Sequence, residues 1–176
     1  NFTKSPESNR IPGLNRGTIE PGDFDHDGRT DLLLNGYSGG IFARTVAFLY
    51  KNETAQANTN PLPPAALQAT VTGDSVAFSW TAGSDAETPV NGLTYSLYVK
   101  DSEGRYFIFP NASIITGRRM TTGLGNAYNN LGWRLHGLPQ GAYTFSVQSV
   151  DASYTGSVFA PEVSFTIPGA GEHTSA

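Results

Sequence analysis

The chain has 176 residues, room for one medium-sized domain and one small one, and its formal net charge is −4. It contains no cysteine, which excludes disulfide bonds, and no basic tract that would track nucleic acid. No apolar run approaches the roughly 18 residues that a membrane-spanning helix needs. A hydrophobic content of 38% without helical periodicity, together with 20 glycines and 11 prolines, predicts an all-β protein.

The first informative segment is the acidic loop 23–31, which has a carboxylate at its first, third, fifth and ninth positions. These residues are Asp23, Asp25, Asp27 and Asp31. Their charges would repel one another unless a cation gathered them, and Ca2+ prefers about six to eight oxygen ligands. Gly28 permits the sharp turn that directs the backbone carbonyl of Arg29 inward as a further ligand. A solvated acidic turn is the alternative, but the four positions and the glycine together favour a Ca2+ site.

The loop is predicted to join two strands rather than the two helices of an EF-hand. The twelfth position, where an EF-hand carries a bidentate glutamate, is Leu34, which lies in an apolar run typical of a buried strand. Upstream, a proline and two glycines disfavour a helix. The expected strands are 18–20, 32–35 and 45–50.

Three segments around this loop resemble one FG-GAP (VCBS-type) repeat. They are Gly22 to Gly28, Asp31 to Gly36 and Phe48 to Asn52. The resemblance implies a calcium-binding loop and one blade of a β-propeller, and a propeller needs about four or more blades. We therefore expect residues 1–57 to be a blade-like calcium-binding β unit. It would be either part of a longer array or a single unit packed on something else.

A polar, Pro-rich stretch at 58–64 predicts a short extended linker. After it, apolar and polar residues alternate in short runs separated by turn residues, which is typical of a β-sandwich. The alternating apolar positions are Val76, Phe78 and Trp80; Leu93, Tyr95, Leu97 and Val99; Leu131, Trp133 and Leu135; Tyr143, Phe145 and Val147; and Val163, Phe165 and Ile167. Within this set, Trp80 is expected to be buried against Tyr95 and Val147.

This second region, residues 65–168, is similar to a fibronectin type III domain and is followed by a tail, 169–176. The similarity rests on residues 63–65, 76–80, 93–97 and 138–143. The last of these segments matches a corner motif in which the Tyr143 hydroxyl bonds back to nearby backbone. The segment 106–130 departs from the family because it is longer and richer in glycine and asparagine.

The sequence contains no recognisable catalytic constellation. Its three histidines are scattered, and Asp85 with Glu87 fits a polar loop between strands better than a catalytic pair. Arg118 and Arg119 together with nearby aromatic rings are candidates for a ligand surface, for instance for carbohydrate. These rings belong to Tyr106, Phe107, Phe109 and Tyr128. The favoured interpretation is that the rings pack in the sandwich and the arginines are solvated.

The sequence therefore predicts a non-enzymatic, calcium-stabilised adhesion or structural module, secreted or at the cell surface. The pairing of the two regions also resembles the C-terminal part of secreted bacterial surface proteins, and the start at Asn1 is expected of a mature or trimmed chain. Expected partners are other copies, through sheet edges or through Leu33, Val46 and Phe48; neighbouring domains of a longer chain; and carbohydrate or a surface protein. The alternative is a carbohydrate- or protein-binding accessory region of a larger secreted enzyme.

Overall fold

The computed structural model describes residues 13–25, 27, 29–38, 44–55 and 57–169. The chain divides into two compact units, Asn1–Ala57 and Asn58–Ala176. Apart from a 3-10 turn at Val90–Gly92, the regular structure in these described ranges consists of antiparallel strands, which confirms the all-β fold class. No helix within these ranges is long and apolar enough to cross a membrane. The expectations for Gly28 and for the tail beyond Gly169 lie outside the described residues.

The first unit contains a three-stranded sheet in the order β1-β2-β3. Its strands are β1 (Leu14–Gly22), β2 (Asp31–Ser38) and β3 (Arg44–Tyr50). Each contains one of the three short strands expected from the sequence. Because Leu34 pairs with both Ile19 and Phe48, these three side chains share one face of the sheet. Leu33 has the opposite parity and lies on the other face, so the residues expected to mediate self-association do not form one surface.

The second unit contains two sheets, one of four strands in the order β10-β9-β6-β7 and one of three in the order β4-β5-β8. The strands are β4 (Ala65–Thr72), β5 (Ser75–Thr81), β6 (Thr94–Asp101), β7 (Tyr106–Ile108), β8 (Gly132–Leu135), β9 (Gly141–Val150) and β10 (Val163–Ile167). One apolar cluster joins the two sheets, with the Phe78 and Phe145 rings 4.4 Å apart. The second unit is therefore a β-sandwich of two antiparallel sheets.

The predicted alternation identifies most of this core. Trp80 is 4% exposed, as expected, and its ring meets that of Tyr95 edge-on at 5.9 Å. Tyr143 donates to the Pro139 carbonyl at 2.7 Å, which is the bond that the corner motif predicts. Leu131 is an exception, because it precedes β8 and is 47% exposed.

The central strands β6 and β9 are buried on both faces, which the alternating pattern did not predict. Their outward-facing residues include Tyr98 and Gln148, and both are almost completely buried. The Tyr98 ring meets that of Phe159 at 4.9 Å, and Gln148 donates to the carbonyls of Gly117 and Ser157. The segment 109–131, which we call the insertion, and the loop 151–162 therefore cover the outer face of the four-stranded sheet.

Candidate metal centre

Strand pairing closes the acidic loop at its base. Gly22, the last residue of β1, pairs with Asp31, the first residue of β2. Asp31 is 2% exposed, and its carboxylate accepts hydrogen bonds from the N–H groups of Phe24 at 3.1 Å and Asn52 at 2.8 Å. A buried carboxylate needs such donors to offset its lost hydration. Asp31 thus ties the loop to the segment that follows β3.

Three carboxylates of the loop converge. Asp23, Asp25 and Asp27 each offer one oxygen, and these oxygens lie within 4.8 Å of one another. Local hydrogen bonds shape the backbone around them. The Asp27 N–H donates to Asp23 Oδ1 at 3.0 Å, and the Arg29 N–H donates to Asp27 Oδ1, also at 3.0 Å. Aspartate side chains that accept from backbone N–H groups further along the chain commonly stabilise such turns.

Two basic side chains lie against these carboxylates. The Lys51 ammonium forms ion pairs with Asp25 and, at 3.4 Å, with Asp27. The Arg29 guanidinium lies 3.1 Å from Asp27 Oδ2, and its Nε donates to the Thr54 carbonyl at 2.7 Å. Lost hydration raises the pKa of Asp27, but the hydrogen bonds from Lys51 and Arg29 together outweigh it, so the pKa lies below its ordinary value.

The geometry of the three oxygens fits a hard divalent cation. Ca2+ binds oxygens at about 2.3 to 2.6 Å, so ligands on opposite sides of one ion lie about 5 Å apart. Oxygens within 4.8 Å of one another meet this requirement. The Lys51 side chain is 52% exposed, so it could turn into solvent and leave these oxygens to an ion. The ammonium and a cation would therefore compete for the same carboxylates.

The five predicted ligands do not all meet in this cluster. Asp31 is outside the converging group, and each of its two oxygens already accepts from a backbone N–H. The role of the Arg29 carbonyl stays a prediction. Lys51 and Asn52 contributed only to the family resemblance in the sequence, and their contacts with the loop were not predicted. A signal was present, since both residues directly follow the expected strand 45–50, which in the structure pairs with the strand that leaves the loop.

The residues of the suggested aromatic and cationic surface are divided between the interior and the exterior. Phe107 packs against the core and meets the Tyr143 ring at 5.4 Å, as the packing alternative expected. Phe109 and Tyr128 are exposed, at 66% and 59%. Arg118 is exposed as well, whereas Arg119 is partly buried, so neither sequence interpretation holds for the whole set.

A polar cluster on the β4–β5 turn brings together a serine, a histidine and an aspartate. The Ser75 hydroxyl lies 2.9 Å from His136 Nδ1 and 3.0 Å from Asp74 Oδ1. An activated serine needs the carboxylate on the far side of the imidazole, where it orients the base. Here the carboxylate contacts the serine itself, so the cluster lacks the order of a nucleophilic triad.

The chain was compared with known proteins. No family model and no curated protein matches it. Similar solved structures include the rat CD45 extracellular region, domains d3–d4, with TM-score 0.46 and 14% identity over 94% of this chain and 78% of that one. A β-1,2-glucanase from Parabacteroides distasonis has TM-score 0.43 and 13% identity over 80% of this chain and 18% of that one. The Clostridium perfringens spore cortex lytic enzyme SleM has TM-score 0.41 and 15% identity over 73% of this chain and 36% of that one.

Proposed function

We propose that this chain is a non-enzymatic, calcium-stabilised adhesion or structural module of a secreted or cell-surface protein. The convergence of the Asp23, Asp25 and Asp27 oxygens within 4.8 Å carries the proposal. The resemblance of the first unit to an FG-GAP repeat supports it, because the corresponding loop binds calcium in that family. Extracellular modules bind Ca2+ with dissociation constants of about 0.1 to 1 mM. A site of that strength fills where calcium is abundant, which favours an extracellular location.

The role proposed for the ion is structural. Leu34 is the only buried hydrophobic residue of the first unit within the described part of the chain, so apolar packing there supports the sheet weakly. An ion that binds three carboxylates would hold the loop between β1 and β2 together and remove their mutual repulsion. Calcium would in this way add stability where the core adds little.

Thermal unfolding in calcium and in chelator tests the metal. At a calcium concentration about a hundredfold above the dissociation constant, binding should stabilise the folded state by roughly 2.7 kcal/mol. Asp25→Asn should abolish most of that shift, because it removes one of the three converging carboxylates. Asp74→Asn, which changes an exposed aspartate outside the loop, should preserve it. Identical melting curves of the unmodified protein with and without calcium would refute the site.

Lys51 provides a second, opposite test. Because its ammonium occupies the carboxylates that an ion would need, Lys51→Met should strengthen calcium binding. Solvent screens an exposed charge pair, so we expect the dissociation constant to fall by no more than roughly fivefold. Isothermal titration calorimetry measures the change, and Lys100→Met, in the second unit, is the matched control. Weaker calcium binding after Lys51→Met would show that the lysine supports the site rather than competing for it.

A second candidate function is an accessory region that binds carbohydrate or protein for a larger secreted enzyme. The exposed rings of Phe109 and Tyr128 favour it, since sugar faces stack on exposed aromatic rings. Affinity electrophoresis in gels that contain neutral or acidic polysaccharide tests this function. Retarded migration that Phe109→Ala abolishes would support this function. Unchanged migration in every polysaccharide would exclude carbohydrate as the ligand.

A further inference from the structure

The insertion is bound firmly to the edge of β6. The Ala127 N–H donates to the Tyr95 carbonyl at 2.9 Å, and the Tyr95 N–H donates to the Tyr128 carbonyl at 2.7 Å. The Asn126 side chain bonds to both backbone groups of Leu97 at 2.8 Å, so it pairs with the strand much as another strand would. These bonds occupy the part of β6 that β7 does not reach.

A short hairpin gives the insertion a second attachment. Ala112 and Arg119 pair across the hairpin, and the Gly117 carbonyl at its tip accepts from the buried Gln148 amide at 2.9 Å. The Arg119 guanidinium donates to the carbonyls of Gly123 and Leu124, which fixes the following turn. A segment held in this way loses little conformational entropy when a partner binds it.

The outer surface of this ordered segment is strongly apolar. Six of its large hydrophobic side chains are exposed: Phe109, Ile115, Met120, Leu124, Tyr128 and Leu131. Ile115 and Met120 are exposed to 87% and 72%. Single exposed apolar side chains are ordinary, but six of them within one segment that hydrogen bonds hold in place favour an interaction site. We call these six residues, together with Arg118, the insertion surface.

The stretch 104–150, which includes the insertion, has a net charge opposite to that of the rest of the chain. No acidic residue occurs from Gly104 to Val150, a stretch that contains four arginines. Outside it the chain carries all 15 acidic residues against 11 − 4 = 7 basic ones. Neither Arg118 nor Arg119 forms an ion pair with another described residue. The hydrogen bonds of the Arg119 guanidinium reach neutral acceptors, and its Nε is buried without a partner.

This chemistry selects a protein partner that carries a carboxylate. Methionine, aromatic residues and arginine are enriched at protein interfaces, where they act as anchors. A half-buried guanidinium without a counter-ion favours a nearby anion, because desolvated charge is costly when unpaired. The partner should therefore combine exposed apolar side chains with an acidic group.

We propose that the insertion surface binds the first unit of a second copy of this chain, on the sheet face that carries Glu20. The strand register places Glu20, Leu33 and Leu49 side by side on that face. Glu20 is exposed and Leu49 is 60% exposed, so this face offers the required carboxylate beside apolar side chains. Contact between two insertion surfaces would instead bring together two segments that contain arginines and no acidic residue, which like-charge repulsion disfavours.

Such a contact joins two different surfaces of the same chain. Each copy keeps one free surface of each kind, so association would continue into chains or rings rather than stop at a symmetric dimer. This inference does not depend on calcium chemistry, because neither Glu20 nor Arg118 belongs to the acidic loop. An absent calcium effect on melting would refute the metal site and leave this proposal standing.

A charge-swap mixing experiment tests the contact. Sedimentation velocity in saturating calcium should show concentration-dependent association of the unmodified chain, weakened at high salt. Arg118→Glu alone and Glu20→Arg alone should each weaken it about tenfold or more, because each places like charges opposite one another. An equimolar mixture of the two variants should associate again, since every contact between different variants pairs opposite charges.

Matched controls separate the contact from general effects of charge and hydrophobicity. Arg134→Glu and Glu103→Arg change exposed charges elsewhere and should leave association unchanged. Ile115→Ser should weaken it, whereas Val90→Ser, at another exposed apolar site, should not. Circular dichroism of each variant verifies folding. A chain that stays monomeric at all concentrations, variants whose mixture fails to associate, or binding of acidic polysaccharide without self-association would each overturn the proposal.

Discussion

The two units of this chain hold their strands together by different means. In the second unit, aromatic and aliphatic side chains from two facing sheets form one buried cluster. In the first unit, Leu34 is the only buried hydrophobic residue within the described ranges, and Ile19 and Leu49 on the same sheet are 61% and 60% exposed. The second unit thus has a core of its own, whereas the order of the first depends more on polar contacts.

This difference explains why the candidate site lies where it does. Removing apolar surface from water contributes roughly 25 cal/mol per Å², so a sheet with one buried leucine gains little from packing. The first unit compensates through Asp31, which accepts two backbone hydrogen bonds, and through a cluster of carboxylates with their basic partners. Perturbing the core should therefore affect the second unit, and perturbing charge should affect the first.

The largest effect is expected from Trp80→Ala. Removing an almost completely buried indole should destabilise the second unit by about 3 to 5 kcal/mol, because the transfer energy is lost and a cavity remains. Calcium affinity should be unchanged, since the acidic loop belongs to the other unit. Chemical denaturation and calorimetric titration measure the two quantities, with Leu62→Ala, at a 63% exposed position, as the control. Weakened calcium binding would contradict the independence of the two units.

A smaller loss is expected from Asn126→Ala. The variant leaves both backbone groups of Leu97 without their partners, and an unsatisfied buried polar group costs about 1 to 3 kcal/mol. Asn130→Ala removes one hydrogen bond in the same segment, from an exposed residue, and should cost less. Hydrogen exchange at the Leu97 amide should accelerate in the first variant and not in the second. Equal exchange in both would show that another contact protects this edge of β6.

The sequence predicted those features that arise from local pattern. Two-residue alternation placed Trp80 and Phe145 in the core, and the acidic spacing identified the loop whose carboxylates converge. It could not predict that β6 and β9 are buried on both faces, because the covering segment lies far from them in the chain and lacks periodicity. Lys51 was missed for a different reason, because its place beside Asp25 follows from the pairing of β2 with β3, which the acidic spacing alone does not show.

A smaller loss of stability is expected from Tyr143→Phe, which tests the corner motif. It deletes the hydroxyl that donates to the Pro139 carbonyl at 2.7 Å and keeps the ring, which stacks on Phe165 at 5.4 Å. One lost hydrogen bond should destabilise the second unit by about 0.5 to 1.5 kcal/mol. Tyr128→Phe, at an exposed ring, is the matched control and should be nearly neutral. Equal denaturation midpoints for the two variants would show that the corner bond contributes nothing measurable.

The smallest effect concerns pH and Glu162. Its Oε1 accepts from the Tyr98 hydroxyl at 2.6 Å and from Lys100 at 2.7 Å. Lost hydration raises the pKa of Glu162, but the contacts with Lys100 and Tyr98 together lower it by a larger amount. The folded-state pKa therefore lies below the usual 4.5. A depressed carboxylate pKa adds stability that is present above the unfolded value and is lost as the pH falls through the folded value.

Because the Glu162 side chain is 39% exposed, solvent screening limits the contribution to less than about 1 kcal/mol. Glu162→Gln should therefore lower the stability slightly at pH 7 and reduce its decline below about pH 4.5. Denaturation midpoints at pH 7 and at a series of acidic values measure both effects, with Glu103→Gln, an exposed glutamate outside these contacts, as the control. A variant that loses the same stability at every pH would show that Glu162 acts through packing rather than through its charge. In that case carboxylate charge at Glu162 would not stabilise the second unit. The two units would then differ in this respect as well, because the carboxylates whose charge affects stability would lie in the acidic loop of the first.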